Sequence, residues 1–282
     1  MLGKIETLPS IAGKIVHQMA AEMVQGNLGK SADKPGAAAA MFTAVFDRLF
    51  MESATGLAWQ RDPKRGTRLF EHHYGLPADQ LAASMEKAAA AGRAAAAGLA
   101  TSEALARARV SQLEEVEQLT KTEIAGVKVW VKIDVSHGET PRAHGTLAHL
   151  SPVALGRFRA LSDEGVIYLV DWKSGRRKPE HQAQVILYAA YQLRGRGVSL
   201  DRQRVVLSYL ADGSEVVVQP DPEAVALFEQ QLPAAALEIH SRLEPPGEIN
   251  LGPEENFPRT EDLSECRLCR MLEVCKGKRT ID

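Results

Sequence analysis

Asp171, Trp172 and Lys173 close an apolar run and are followed at once by Ser174 and Gly175. The residues from Val166 to Val170 are β-branched and aromatic enough to predict a strand, and the two-residue period of a strand sets Asp171 and Lys173 side by side on one face. Upstream, Lys128-Val129-Trp130-Val131-Lys132-Ile133-Asp134 alternates polar and apolar residues, so Asp134 can project from a neighbouring strand. Two carboxylates then face one lysine at a strand end expected to be open to solvent. A hard divalent cation takes oxygen ligands, and one or two carboxylates with open water positions are the usual setting for Mg²⁺ at phosphoryl-transfer sites. The lysine can orient an attacking water or neutralise developing charge.

Three further groups stand in order around this pair. After it, His181-Gln182-Ala183-Gln184-Val185-Ile186-Leu187-Tyr188 reads as helix and puts Gln184 and Tyr188 one turn apart on a single face. Near the start, Gly13-Lys14-Ile15-Val16-His17 opens a helix running through Met23, where His17 is either a packed core residue or a further metal ligand. At the other end stand Cys266, Cys269 and Cys275. An acid and a lysine two apart often form nothing more than a solvated pair. The order of all five groups is what carries the inference.

That order, with Gly-x3-His, then Asp134, then Asp171-x-Lys173, then Gln184-x3-Tyr188, then a terminal cysteine trio, resembles the RecB-like branch of the PD-(D/E)XK nuclease superfamily. The branch includes RecB and AddB nuclease domains and the stand-alone exonucleases of CRISPR adaptation modules and phages. The resemblance spans most of the chain. It implies an α/β, restriction-endonuclease-like core, a central mixed sheet flanked by helices, in a single domain over residues 1–282. It also implies a Mg²⁺- or Mn²⁺-dependent phosphodiesterase, an exonuclease on single-stranded or unwound DNA in recombination, repair, CRISPR adaptation or phage DNA processing. Asp134, Asp171 and the Trp172 carbonyl would hold the metal with His17, Lys173 would position water, and Gln184 and Tyr188 would brace the site or the DNA. Two other readings stay open: a non-catalytic DNA-binding subunit that keeps the fold, and a module active only with a helicase or CRISPR integrase. The sequence has no Gly-x4-Gly-Lys-Ser/Thr loop, so any ATP-driven unwinding falls to such a partner.

The cysteines depart from the family pattern. Iron–sulfur members of the branch place a fourth cysteine before the histidine helix, whereas all 3 cysteines here are C-terminal. A [4Fe–4S] cluster and a structural zinc each normally take four ligands. Either the true start lies upstream, or a non-cysteine ligand completes the site, or the trio is a remnant. Reduced, free thiols are the simpler alternative in the cytosol. In that case the segment over residues 261–279 docks by packing of Leu263, Leu268, Met271, Leu272 and Val274.

The elements that must position these residues follow from periodicity and breakers. Pro9 and Ser10 start the first helix, with Ile11, Ile15, Met19 and Met23 along it. A Gly/Ser/Lys/Pro stretch from Gly26 to Gly36 ends it, and a second helix covers Ala37 to Ser53. Arg61 to Gly66 is a charged turn. The Ala-rich run from Leu81 to Leu119 predicts helix, broken near Gly98 and restarted by Thr101 or Ser102. Residues 26–120 thus form a large helical insertion. The long separation of Asp134 from Asp171 reads as a surface insertion over Ser136–Gly165 with His137, His144, His149 and a short helix over Val153–Leu161. The histidines are too irregularly spaced to favour a second metal site. Beyond the Gln184 helix come a hairpin, Arg204–Leu210 with Glu215–Val218, and a helix over Pro222–Leu243 sending Val225, Phe228, Leu232 and Leu237 to the core. Pro245-Pro246-Gly247 ends that helix.

Composition is consistent with this. With 282 residues and 45% hydrophobic content the chain can build a large core. A net charge of −2 rules out a globally positive field, so phosphates must meet local basic patches. Arg176, Arg177 and Lys178 after the Asp171 strand are one candidate; Lys276, Lys278 and Arg279 are another, and each can equally be a solvated turn or tail. There is neither an apolar run of membrane-spanning length nor a signal-peptide pattern, which predicts a cytoplasmic protein with no membrane partner; DNA as the partner is what the resemblance implies.

Overall fold

The computed structural model describes residues 4–141, 165–242 and 269. Helix α1 (Leu8–Gln25) begins where Thr7 accepts a hydrogen bond from the Ser10 amide, and Gly26, at φ 80°, closes it in the left-handed conformation a side chain would oppose. A carboxylate oxygen of Glu71 also accepts from the Leu8 amide at 3.0 Å, tying the start of α1 to a distant helix. Ile11, Ile15, Met19 and Met23 are buried at the spacing the sequence predicts.

Five helices follow: α2 (Pro35–Thr55), α3 (Leu57–Arg61), α4 (Phe70–His73), α5 (Ala78–Leu99) and α6 (Glu103–Val110). Helix α5 buries Ala88, Ala89, Ala95 and Ala96 against α1 and α2. The small residues let the helices approach closely. At Gly92 a β-carbon would stand 1.9 Å from the Phe42 ring, so only glycine fits. Ser102 caps α6 by accepting from the Leu105 amide, as its sequence position suggests.

The sheet comprises β1 (Ser111–Val116), β4 (Val135–Pro141), β5 (Ile167–Lys173), β6 (Gln203–Tyr209) and β7 (Ser214–Val218), in the order β1-β4-β5-β6-β7. Strands β5 and β6 run parallel and every other neighbour is antiparallel, so the sheet is mixed. Helix α7 (Glu180–Arg196) makes the β5–β6 crossover that parallel pairing requires. Strands β2 (Leu119–Ile124) and β3 (Val127–Lys132) form a separate hairpin whose turn puts Ala125 at φ 49° and Gly126 at φ 78°, both left-handed as a tight two-residue hairpin turn needs. Helix α8 (Pro222–Ser241) is the last described helix.

Parity along β5 divides the core. Tyr168, Val170 and Trp172 pack with α1, α2 and α5, whereas Ile167 and Leu169 pack with Val185, Tyr188 and Tyr191 of α7. Asp171 and Lys173, in phase with Ile167 and Leu169, therefore lie on the α7 side, at the strand end. The architecture is the expected mixed sheet with helices on both faces, and among the described residues no helix is long and apolar enough to cross a membrane.

Four expectations need correction. The helical run does not reach Leu119 but stops at Val110, because Ser111–Val116 pairs with β4 as an edge strand. The stretch from Ser136 is not a surface insertion at its start, since Val135–Pro141 lies between β1 and β5. Lys128–Lys132 pairs with β2 and not with the Asp171 strand. Leu237 is 71% exposed, while Val225 is buried and Phe228 and Leu232 are partly so. His144, His149, the helix expected over Val153–Leu161, Pro245-Pro246-Gly247, the apolar contacts of the cysteine segment, Cys266, Cys275, Lys276, Lys278 and Arg279 lie outside the described residues. Cys269 is described, half-buried and with a free thiol.

Candidate metal centre

Gly13 and His17 occupy successive turns of α1 facing the end of β5. A β-carbon at Gly13 would meet the Ser174 hydroxyl at 3.2 Å, so the bare glycine lets α1 lie close against the loop that leaves the strand. One turn on, the His17 Nδ1 atom is 3.1 Å from one carboxylate oxygen of Asp134. Asp134 sits at the junction between β3 and β4. Its second oxygen accepts the backbone N–H of Trp172 at 2.8 Å, and its carbonyl accepts the N–H of Glu117 at 2.9 Å. These bonds fix the acid from both sides.

Glu117, which the sequence reading missed, completes the group. It lies in the link between β1 and β2 at φ 51°, a left-handed conformation that costs a side-chain-bearing residue about 1–2 kcal/mol. Its Oε1 is 3.6 Å from His17 Nδ1 and its Oε2 forms an ion pair with Lys132. One ligand atom from each of His17, Glu117 and Asp134 lies within 4.8 Å of the others. No local motif marks Glu117, because a long hairpin delivers it to the site.

Asp171 and Lys173 adjoin this trio from β5. Lys173 Nζ is 2.6 Å from Asp171 Oδ2 and also donates to the side-chain carbonyl of Gln184 on α7. Asp171 is only 3% exposed and Asp134 7%, so the strand end is not the solvent-open position expected from sequence. Tyr188, one turn beyond Gln184, is buried and donates its hydroxyl to the Lys132 carbonyl at 3.3 Å. Trp172 points to the opposite face of the sheet and is buried there. Arg176, Arg177 and Lys178 are all exposed, and of the three Arg177 lies 4.8 Å from the Tyr209 ring centre and donates to the Ser214 hydroxyl.

The electrostatics follow from packing several acids into one buried space. Burial, then the charge of Asp134, pushes the Asp171 carboxyl up to about 6 against the opposing pull of Lys173 and His17. Burial alone would depress His17, but its hydrogen bond to Asp134 and the negative charges of Asp134 and Glu117 outweigh that and push the imidazole up to about 10. Burial likewise opposes ionisation of Glu117, yet His17 and Lys132 hold its carboxyl below the usual range. Burial and the nearby carboxylates raise the Tyr188 phenol. In the metal-free chain a proton on His17 thus supplies positive charge between two acids.

These features fit a divalent cation. Glu117 Oε1 is buried without a hydrogen-bond partner, and a donor set of one imidazole nitrogen and carboxylate oxygens suits Mg²⁺ or Mn²⁺. The centre opens into a cavity of about 720 Å³ lined by Gly13, Lys14, His17, Gln18, Glu117, Lys132 and Ser174, among others. A family model for the PD-(D/E)XK nuclease superfamily matches residues 3–276, nearly the whole sequence. No curated protein matches the chain.

Proposed function

The chain belongs to the PD-(D/E)XK nuclease superfamily, a membership that implies a metal-dependent nuclease, and we propose that it is a deoxyribonuclease of the RecB-like branch, degrading single-stranded or unwound DNA from its ends. The observation that carries this reading is the convergence of His17, Glu117 and Asp134 beside the Asp171–Lys173 pair. His17, Glu117, Asp134, Asp171 and the Trp172 carbonyl would hold Mg²⁺ or Mn²⁺. When bound, such a cation supplies Lewis-acid stabilisation of charge on the phosphoryl oxygens.

The chain's own residues do the remaining work. Lys173, held between Asp171 and Gln184, presents an ammonium that orients a water for in-line attack on phosphorus. The water oxygen bonds to phosphorus, one bridging P–O bond breaks, and one water is consumed for each phosphodiester cut. Tyr188 steadies the backbone at Lys132, whose side chain holds Glu117 toward His17. Arg176 and Lys178 extend positive charge from the strand end to the incoming backbone. A helicase or integrase partner is compatible with this role and would supply the unwound end.

End-labelled single- and double-stranded DNA, incubated with Mg²⁺, Mn²⁺, Ca²⁺ or EDTA, tests the reading. Cleavage with Mg²⁺ or Mn²⁺, its loss in EDTA, and its loss in Lys173→Ala are expected. Cleavage that survives exhaustive chelation, or a Lys173→Ala chain that cuts at the parental rate, would overturn it.

A further inference from the structure

The β2–β3 hairpin packs one face against α7 and α8, where Ile124 meets Ala189, Ala190 and Val225, and Val131 meets Val185 and Tyr188. Its other face is open to solvent. Strand alternation places Leu119 and Lys121 of β2 and Lys128, Trp130 and Lys132 of β3 on that open face. Trp130 is 60% exposed and Leu119 59%. Packing does not account for a tryptophan at the centre of a polar face. The Lys121 ammonium lies 5.7 Å from the ring centre, directly across the strand pair, and leaves most of the indole uncovered.

This face is continuous with the metal centre. Lys132 belongs both to it and to the lining of the cavity that contains His17 and Glu117. Trp130 precedes Asp134 by four residues of nearly extended chain, a reach of at most ~14 Å. The one acid on the face, Glu123, sits opposite Lys128 beside the hairpin turn, at the end remote from the centre. The surface leading away from the scissile position therefore offers an exposed aromatic ring set among lysines. Unpaired bases stack on such a ring while the phosphates between them meet ammonium groups.

We propose that the outer face of this hairpin is a stacking platform, with Trp130 as its aromatic floor, for unpaired bases of the strand whose phosphodiester lies at the His17–Glu117–Asp134 centre. The proposal rests on the nuclease reading and names the form of its substrate. A base inside a duplex has both faces covered and cannot reach the ring, so the platform selects single strands. Lys121 and Lys132 then act on the flanking phosphates without regard to sequence.

The test measures binding of a labelled oligothymidine to the full chain in Ca²⁺ by fluorescence anisotropy, together with cleavage kinetics in Mg²⁺. Trp130→Ala is expected to weaken single-strand binding roughly tenfold, the loss of one base–aromatic stack, and Trp130→Phe to restore most of it. KM rises in Trp130→Ala while kcat at saturating strand is unchanged, and affinity for a blunt duplex moves little. Parental affinity and KM in Trp130→Ala, with a melting temperature showing that the variant is folded, overturn the platform and leave the nuclease reading intact. An equal loss on single strand and duplex also overturns it. If the parental chain cuts nothing with either metal, the nuclease reading fails, and the binding ratio of the two chains still decides the platform. Absence of any oligothymidine binding by the parental chain overturns the platform, while cleavage with Mg²⁺ or Mn²⁺ decides the nuclease reading separately.

Discussion

Replacing Asp171 with Asn should stabilise the metal-free protein while abolishing cleavage. Burial and the charge of Asp134 push the carboxyl from an ordinary 3.8 up to about 6, and that shift already includes the favourable pull of Lys173 and His17. Holding the group ionised at neutral pH therefore costs on the order of 3 kcal/mol relative to the unfolded chain. Asn mimics the neutral form in shape and removes this cost. For a domain of this size the gain corresponds to a melting temperature roughly 5–10 °C higher. The sign sets the pH window. Because the folded value lies above the unfolded one, the destabilisation is absent below about pH 4 and grows as pH rises through 6. Differential scanning calorimetry in EDTA should show Asp171→Asn well above the parent at about pH 8, with the gap closing toward pH 4. Added Mg²⁺ should raise the parent by about 2.7 kcal/mol at a hundredfold excess over its dissociation constant, and the variant by less. A variant that melts below the parent in EDTA at about pH 8, or a gap that does not shrink on acidification, would refute the argument.

Glu117→Gln should raise the Mg²⁺ concentration for half-maximal cleavage by roughly tenfold or more, since it removes a carboxylate that contacts both His17 and Lys132; an unchanged Mg²⁺ titration would exclude Glu117 from the centre. Gly98→Ala, which helix propensity alone would make stabilising, should instead lower stability by about 1–3 kcal/mol in urea unfolding. The added β-carbon would lie 1.8 Å from the Leu210 carbonyl oxygen, and a midpoint above the parent's would contradict that close contact. Protein purified without oxygen should be colourless, its three cysteines falling one short of a cluster's usual thiolates; iron and sulfide at about four per chain would reverse this.

The sequence revealed the two acids, the lysine and the helix bearing Gln184 and Tyr188 because local rules govern them: strand parity for Asp171 and Lys173, one helical turn for Gln184 and Tyr188. Glu117 was invisible because its place depends on a left-handed link and a hairpin that no propensity scale marks. Ser111–Val116, with Gln, Leu and two Glu, carries good helix formers and still pairs as a strand, so its tertiary partner overrides propensity. Val135–Pro141 reads as loop from its Gly, His and Pro. It forms a strand because neighbours on both sides take up its backbone groups. The burial of Asp171 depends on α1 and α7 covering the strand end, a fact of assembly and not of pattern.

The hydrogen bond from the Trp172 amide to Asp134 has a consequence for misfolded chains. Slipping β5 by one residue against β4 would turn Asp171 toward the α1 side, bring the indole of Trp172 into the charged pocket, and leave Asp134 without its donor. The same slip would strand a carboxylate in the apolar layer that Val170 and Trp172 fill in the native register. A chain trapped in the wrong register would lack the arranged centre altogether, so the sheet's alignment and the assembly of that centre stand or fall together.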